Sequence, residues 1–477
     1  MHRQALALAL SLLSTTGAAQ SISLPDIGDP SREVLAASEE ARLGMQVFQQ
    51  LLRQGIVMED PFLQDYIDSV GQRIALYAEN DAGNFTFFVV NNRQVNAFAA
   101  PGGYIGVNTG LIAATRSESE LAGVLAHEAA HVSQRHIARW LEDSKRSRLP
   151  LAASLLAAAL LASASGEAGQ AAITGVLAAD AQRQINFTRS HEQEADRVGI
   201  DFLLRSGYDP YGMPDFFDRL AQATRLYGSN MPELLRTHPV ESRRIAETRA
   251  RIEVLLPKRP QESDHLEYFL AQARIQVLGS RDAQGNAETF RQRMSEGNNR
   301  SALAQRYGLA LSLQRAGELE AATTEARKLL EERPEGLPFL IAAAEIALQS
   351  RRLDEARSYY AKSSSLYPGD YSLAMSYADA LIALGEPRQA MALLRPRLNG
   401  GPTRTAALAL YARAAQSAGL VSDSHATMAS YYELRGHSSQ AIQQLELALR
   451  AADLAPYKRQ KLNAQLERLR QEAAERE

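Results

Sequence analysis

The second half of the chain repeats itself. Gly317, Arg351, Gly385 and Gly419 stand 34 residues apart. Ala322, Ala356 and Ala390 keep the same step, and so do Pro334, Pro368 and Pro402. A unit this short cannot bury an apolar face alone and must stack on copies of itself. After about residue 257 the texture is Ala, Leu, Arg and Glu at helical spacing, with no strand signal. Small residues suit helix crossings, and proline ends a helix because it lacks the N–H the next bond needs. Each unit therefore reads as two helices, the second closed by a proline.

Helix pairs at this period describe a tetratricopeptide array, a superhelix with a concave groove. Residues 263–297 read as a degenerate leading unit. Beyond Gly419 the phase slips, because Gly436 and Ala441 restart the pattern 51 residues after Gly385 and Ala390. The tail 458–477 reads as a charged, solvated capping helix.

The first residues have a different purpose. A short basic start, His2 and Arg3, precedes the apolar run Ala5 to Leu13, and Gly17-Ala18-Ala19 places small residues before Gln20. This is the pattern of a secretory signal peptide cleaved after Ala19, too short to span a membrane. The chain has no cysteine, which excludes disulfides, thiolate metal ligands and a lipid anchored on cysteine. The expected compartment is a bacterial periplasm. A net charge of −3 gives no reason to expect a nucleic-acid partner.

Between export signal and repeats, residues 20–34 read as an extended lead-in. Residues 36–54 and 60–78 carry helical spacing, 85–92 and 94–112 are short β-rich runs, and 117–141 is again helical. The Ala/Leu-rich stretch 149–185 is broken by GEAGQ, and each half is short for a membrane span. It reads as a helical hairpin buried on the protein, and we expect it to act as a lid over a cleft. Peripheral membrane contact through 149–181 is the other reading. The expected fold class is an α+β zincin-type peptidase domain, mostly helical with a small sheet, over 20–256. An all-α tetratricopeptide superhelix over 257–477 follows it.

The chemistry is concentrated in LAHEAAH, residues 125–131. On a helix His127 and His131 share one face, one turn apart, and can converge on one metal ion. Glu128 beside them is placed to serve as base toward a water. A catalytic zinc needs a third protein ligand and an open fourth position. Gln134 and Ile137 stand where a metzincin would need Gly and His, so that arrangement fails. A later helix supplies the alternative in TRSHEQEADRVG (188–199), with Glu192 as ligand. Asp196, four residues on, reaches the distal nitrogen of a ligand histidine. Glu194 is expected at the surface, His191 structural or solvent-facing, and His136 off the metal face as a supporting or packing residue.

HEAAH, the pattern at 188–196 and the segment NAFAAPGGYIGVNTGLI together resemble the HtpX-type gluzincin peptidases. With the export signal and the repeats, the chain resembles the periplasmic BepA-type metalloproteases over nearly its whole mature length. The resemblance implies one zinc ion (Zn2+) per chain on His127, His131 and Glu192, with Glu128 as catalytic base. It implies that Asn96 to Gly103 borders the cleft, where a strand edge could pair with substrate. It also matches THP at 237–239, where His238 would be a fourth, self-inhibiting ligand or instead an oxyanion donor. Arg243 or Arg244 would assist, and the residues do not choose between them. The implied activity is zinc metalloendopeptidase in quality control of outer-membrane β-barrel proteins. The implied partners are those clients and their assembly machinery. A largely non-proteolytic chaperone or scaffold is the alternative.

Overall fold

The structure is a computed structural model that describes residues 36–78, 85–143, 189–227, 232–239, 242–260, 265–297 and 301–474. The expected export segment and the Ala/Leu stretch 149–185 lie outside the described residues.

Among the described residues two helices come first, α1 (Ala37–Arg53) and α2 (Pro61–Ala75). Asp60 caps α2 by accepting from the Leu63 N–H, and Pro61 sits at the first turn, where its missing donor costs nothing. Three strands follow: β1 (Thr86–Val90), β2 (Ala97–Ala100) and β3 (Tyr104–Asn108). Their order is β1-β3-β2, with β1 parallel and β2 antiparallel to the central β3. Alternate residues face opposite cores. Phe87, Val89, Ala97, Ala99, Ile105 and Val107 join one apolar cluster. Phe88, Val90, Phe98, Ala100 and Tyr104 join another with α1. Both faces are covered, which is why FTFFVV is apolar at every position after its threonine.

After the short α3 (Thr109–Ala114) comes α4 (Glu118–Ser133), the helix that carries HEAAH. Ser117 caps it by accepting from the Glu120 N–H. Nearly every residue of α4 is buried, so the helix is gripped on all sides. The helical run expected over 117–141 is broken. Arg135 adopts φ 52°, and α5 (His136–Asp143) starts in a new direction. The next described helices are α6 (Arg189–Ser206), α7 (Gly212–Tyr227), α8 (Glu233–Thr237) and α9 (Ser242–Leu255). Gly123 and Gly199 allow α4, α6 and α7 to close on one another. A Cβ at Gly123 would lie 2.8 Å from the backbone of Met213, and one at Gly199 would lie 3.2 Å from that of Ala126.

The remaining helices are paired: α10 (Leu266–Gly279) with α11 (Ala283–Glu296), α12 (Ala302–Ala316) with α13 (Leu319–Glu332), and α14 (Leu337–Gln349) with α15 (Leu353–Leu366). Then come α16 (Tyr371–Ala383) with α17 (Pro387–Leu394), α18 (Thr405–Ser417) with α19 (Val421–Leu434), and α20 (Ser438–Arg450) with α21 (Pro456–Ala474). The 34-residue glycine register has a backbone cause. Gly317, Gly385 and Gly419 end a first helix at φ 74–81°, and Arg351 holds the same place at φ 60°. At each, the following N–H bonds back to the carbonyl five residues earlier, the Schellman closure that satisfies a helix end. Ala322, Ala356 and Ala390 are fully buried at the crossings. Pro334 and Pro368 follow the ends of α13 and α15, as expected. The third register does not hold, because α17 already gives way to a short 3-10 turn at Arg395–Arg397, which contains Pro396, and Pro402 opens another. The tail is less solvated than its charge implies, since Leu462, Leu466 and Leu469 of α21 pack against α20.

The two halves share helix α10. Its Tyr268, Ala271 and Ile275 belong to the core built around α4, while Leu270, Ala273 and Val277 belong to the core of the first repeats. The repeats also clasp the acidic end of α2. Arg274 pairs with Asp60, Arg404 with Asp65 and Asp68, Arg435 with Glu59, and the Ser372 N–H donates to Asp65. Part of the inner face is therefore occupied by the chain itself. A cavity of about 530 Å³ remains there, between Phe62 of α2 and residues such as Tyr307, Glu345, Met375 and Arg413 on successive helices.

Candidate metal centre

His127 and His131 leave α4 on one side, as their spacing requires. Their Nε2 atoms lie 3.1 Å apart. The close crossing of α6 brings in Glu192, whose carboxylate oxygens lie 3.5 Å from each of those nitrogens. His238, just past α8, completes the group. Its Nδ1 is 3.3 Å from His127 Nε2 and 3.1 Å from Glu192 Oε1. One donor atom from each of the four residues lies within 4.8 Å of the others, and all four are buried. Four donors held tetrahedrally about an ion at 2.0–2.1 Å would be about 3.4 Å apart. The observed separations of 3.1–3.5 Å match that edge length.

Around this set lies a layer of charge. Asp196 Oδ1 is 3.1 Å from His127 Nδ1, the distal nitrogen, as expected from the spacing. The choice between the two arginines falls on Arg244. Its guanidinium donates to both oxygens of Asp196 at 2.9 and 2.8 Å, and its Nη1 lies 2.9 Å from Glu192 Oε2. Arg243 is exposed and pairs with Glu247. The sequence did hold a signal for this choice, since Thr248 and Ile252 mark the buried stripe of α9 and Arg244 lies on it.

Burial opposes the charged form of His127, but Asp196 and Glu192 outweigh it and push its pKa up to about 9. Burial pushes His131 well below its usual value. Burial would raise the Glu192 carboxyl, but His238 and His127 hold it well below the usual range. Two imidazoles and a carboxylate in a dry pocket, with an arginine sharing the negative charge, suit a dication.

Glu128 projects beside the donors. Its Oε1 is buried without a hydrogen-bonded partner among the described residues, and it lies 3.3 Å from His238 Nε2. One His238 ring therefore spans the metal donors and Glu128. Asn96, ahead of β2, is fully buried, and both of its side-chain polar atoms lack a partner among the described residues. The edge on which it stands is partly covered. The Leu234 N–H of α8 donates to the Val95 carbonyl, so the segment carrying His238 is tied to the run leading into β2.

One carboxylate reading needs revision, and two histidine readings gain their partners. Glu194 is not free at the surface, because its Oε2 accepts from Arg139 at 2.8 Å and lies 3.1 Å from His136 Nε2. His191 is buried and stacks on His136 with ring centroids 4.5 Å apart. His136 is placed as a supporting residue, as expected, with its Nδ1 2.8 Å from His131 Nδ1. An unbroken helix would not bring them together, so periodicity could not find this contact.

The profile of Peptidase family M48 matches residues 61–252, and a tetratricopeptide-repeat profile matches residues 347–414. The chain is 34% identical over 450 residues to the beta-barrel assembly-enhancing protease of Escherichia coli strain K12, covering 94% of this chain and 91% of that protein. It is 33% identical over 449 residues to a putative beta-barrel assembly-enhancing protease of Vibrio cholerae, covering 94% and 92%. A more distant relative is the mitochondrial metalloendopeptidase OMA1 of Arabidopsis thaliana, 29% identical over 188 residues, 39% of this chain and 36% of that one. The buried donor cluster and these matches point to the same chemistry: the chain is a metalloprotease with tetratricopeptide repeats and belongs to peptidase family M48, together with the beta-barrel assembly-enhancing proteases.

Proposed function

We propose that the protein is a zinc endopeptidase of the periplasm that acts on outer-membrane β-barrel proteins during their assembly. The observation that carries the reading is the convergence of His127, His131, Glu192 and His238 on one buried point with Glu128 against it. Zinc is the metal this donor set favours, since two histidines and a glutamate are a common catalytic zinc shell. When bound, zinc supplies a Lewis acid that polarises a peptide carbonyl and makes water more acidic. Glu128 then takes the proton of the attacking water on its carboxylate and passes it to the departing amide nitrogen. Asp196 and Arg244 hold His127 and Glu192 in place. Asn96 and the β2 edge offer backbone and amide partners to a substrate strand once the α8 segment tied to Val95 moves aside.

The names of the relatives support the choice of substrate class, and the expected cleavage after Ala19 supports export. We assign 20–256 to the peptidase domain and 257–477 to the repeats, which dock clients or their assembly machinery. The test is Glu128→Gln in the purified full chain. It should bind zinc like the parent and cleave no unfolded β-barrel substrate; a variant that still digests that substrate refutes the mechanism.

The same His238 favours a second reading, a client-holding scaffold whose peptidase stays blocked. Seated on the donors and against Glu128, His238 occupies the place a substrate carbonyl or water would need. His238→Ala separates the roles. A several-fold rise in cleavage marks an inhibitory fourth ligand, and a loss of two or more orders of magnitude marks an oxyanion donor.

A further inference from the structure

His136 stands five residues beyond His131 and, in a continuous helix, would project about 140° away from it. The chain instead breaks at Arg135, whose φ of 52° is uncommon for a residue with a side chain. Its guanidinium is held inside by the buried Glu40 at 3.1 Å. The reversal swings His136 back under His131, so that their Nδ1 atoms lie 2.8 Å apart. On the far side, His136 Nε2 is 3.1 Å from Glu194 Oε2, which also accepts from Arg139. His136 is completely buried, and the His191 ring lies flat against it.

One arrangement of protons satisfies these contacts. His131 presents Nε2 to the other donors, so as a neutral ligand it carries its hydrogen on Nδ1. That N–H faces His136 Nδ1, which must be bare to accept it. His136 then carries its own hydrogen on Nε2 and donates it to Glu194. The two ligand histidines are thus supported differently. His127 is backed directly by a carboxylate, whereas His131 is backed by an imidazole that a more distant carboxylate holds in one tautomer.

We propose that His136 is a positioning residue for the metal, acting through His131 and set in its tautomer by Glu194. The inference rests on the metal-centre reading above. Supporting partners of this kind change metal affinity by about 10- to 100-fold when removed.

The test uses the full chain and zinc alone, with affinity read by competition against a coloured chelator. His136→Phe keeps the ring and removes the acceptor, and should weaken zinc binding about 10- to 100-fold. His136→Gln returns an acceptor and should recover part of the loss. Glu194→Ala, at a side chain 26% exposed, should fold normally and weaken binding several-fold. Nitrogen-15 spectra of the zinc-loaded parent should place hydrogens on Nδ1 of His131 and Nε2 of His136, and Glu194→Ala should redistribute the latter. Parent-like affinity in His136→Phe overturns the proposal, as does a parent His136 protonated on Nδ1. If His136→Phe does not fold, unchanged affinity with an unchanged tautomer in Glu194→Ala overturns it. A parent that binds no zinc sinks the metal-centre reading itself, whereas a parent that binds zinc beside unaffected variants sinks this inference alone.

Discussion

Replacing Arg244 by methionine isolates the charge that the site needs before metal arrives. Arg244 is 5% exposed, and its guanidinium holds both oxygens of Asp196, one oxygen of Glu192 and the Pro239 carbonyl. Methionine keeps much of the bulk and leaves two carboxylates facing each other in a dry pocket. Removing one partner of a buried pair costs about 3–5 kcal/mol, because the other charge is stranded. A bound dication takes over the Glu192 share, so the metal-loaded chain should lose about half as much. At about 2–4 °C per kcal/mol, the scale for a unit the size of the proposed peptidase domain, the midpoint of that domain's thermal unfolding should fall by about 6–20 °C with chelator and about half that with zinc. A difference of about 2 kcal/mol between the two states means zinc should bind about 30-fold more tightly to the variant than to the parent. Paired melts with chelator and with excess zinc measure both losses. Equal losses in the two states would refute charge balance and leave Arg244 as an anchor for the Pro239 carbonyl. A loss under about 1 kcal/mol without metal would show that water screens the pocket. Asp196→Asn added to the variant should return part of the metal-free loss, since it removes a stranded charge.

Two further outcomes follow from positions outside the site. Arg351→Gly relieves a left-handed residue at the end of α14, a relief of about 1–2 kcal/mol against about 0.5–1 kcal/mol of extra unfolded-state entropy. Urea unfolding should therefore show a gain of about 0.5–1 kcal/mol, and a destabilised variant would contradict the backbone account of the repeat register. Burial between α2 and the repeats pushes the Asp65 carboxyl up to about 6, although Arg404 beside it pulls the other way. A raised carboxyl means that the folded chain keeps a proton the unfolded chain releases, so stability declines as pH rises from about 4 through about 6. Between pH 5 and 8 this amounts to about 1.4 kcal/mol. Asp65→Asn should flatten that decline in denaturant midpoints at the two pH values. An unchanged slope would mean Arg404 holds Asp65 ionised throughout.

Much of the site could be read in advance because its spacing is local. His127, Glu128 and His131 share one helix, and Glu192 and Asp196 share another, so a pitch of 3.6 residues already places each set on a face. The repeats were legible for a similar reason. Gly317, Gly385 and Gly419 mark a left-handed turn that recurs wherever one helix hands over to the next, and Arg351 shows that the turn, not the glycine, is what recurs. What periodicity missed lies where the period fails. Arg135 stops the helix without a glycine or proline to announce it, and Pro396 ends α17 ahead of the expected register.

The amino-acid order by itself thus determined the ligand helices, the pairing of helices in the second half and the class of chemistry. Each of these follows from contacts within a few residues. Only the tertiary structure decided that Glu194 meets His136 and that His238 lies across the donors and Glu128. It alone placed part of the repeat array around the acidic end of α2. Those contacts join residues 46 to 376 positions apart, and which of several compatible side chains meet is settled by how helices distant in the chain pack, a choice no local spacing encodes.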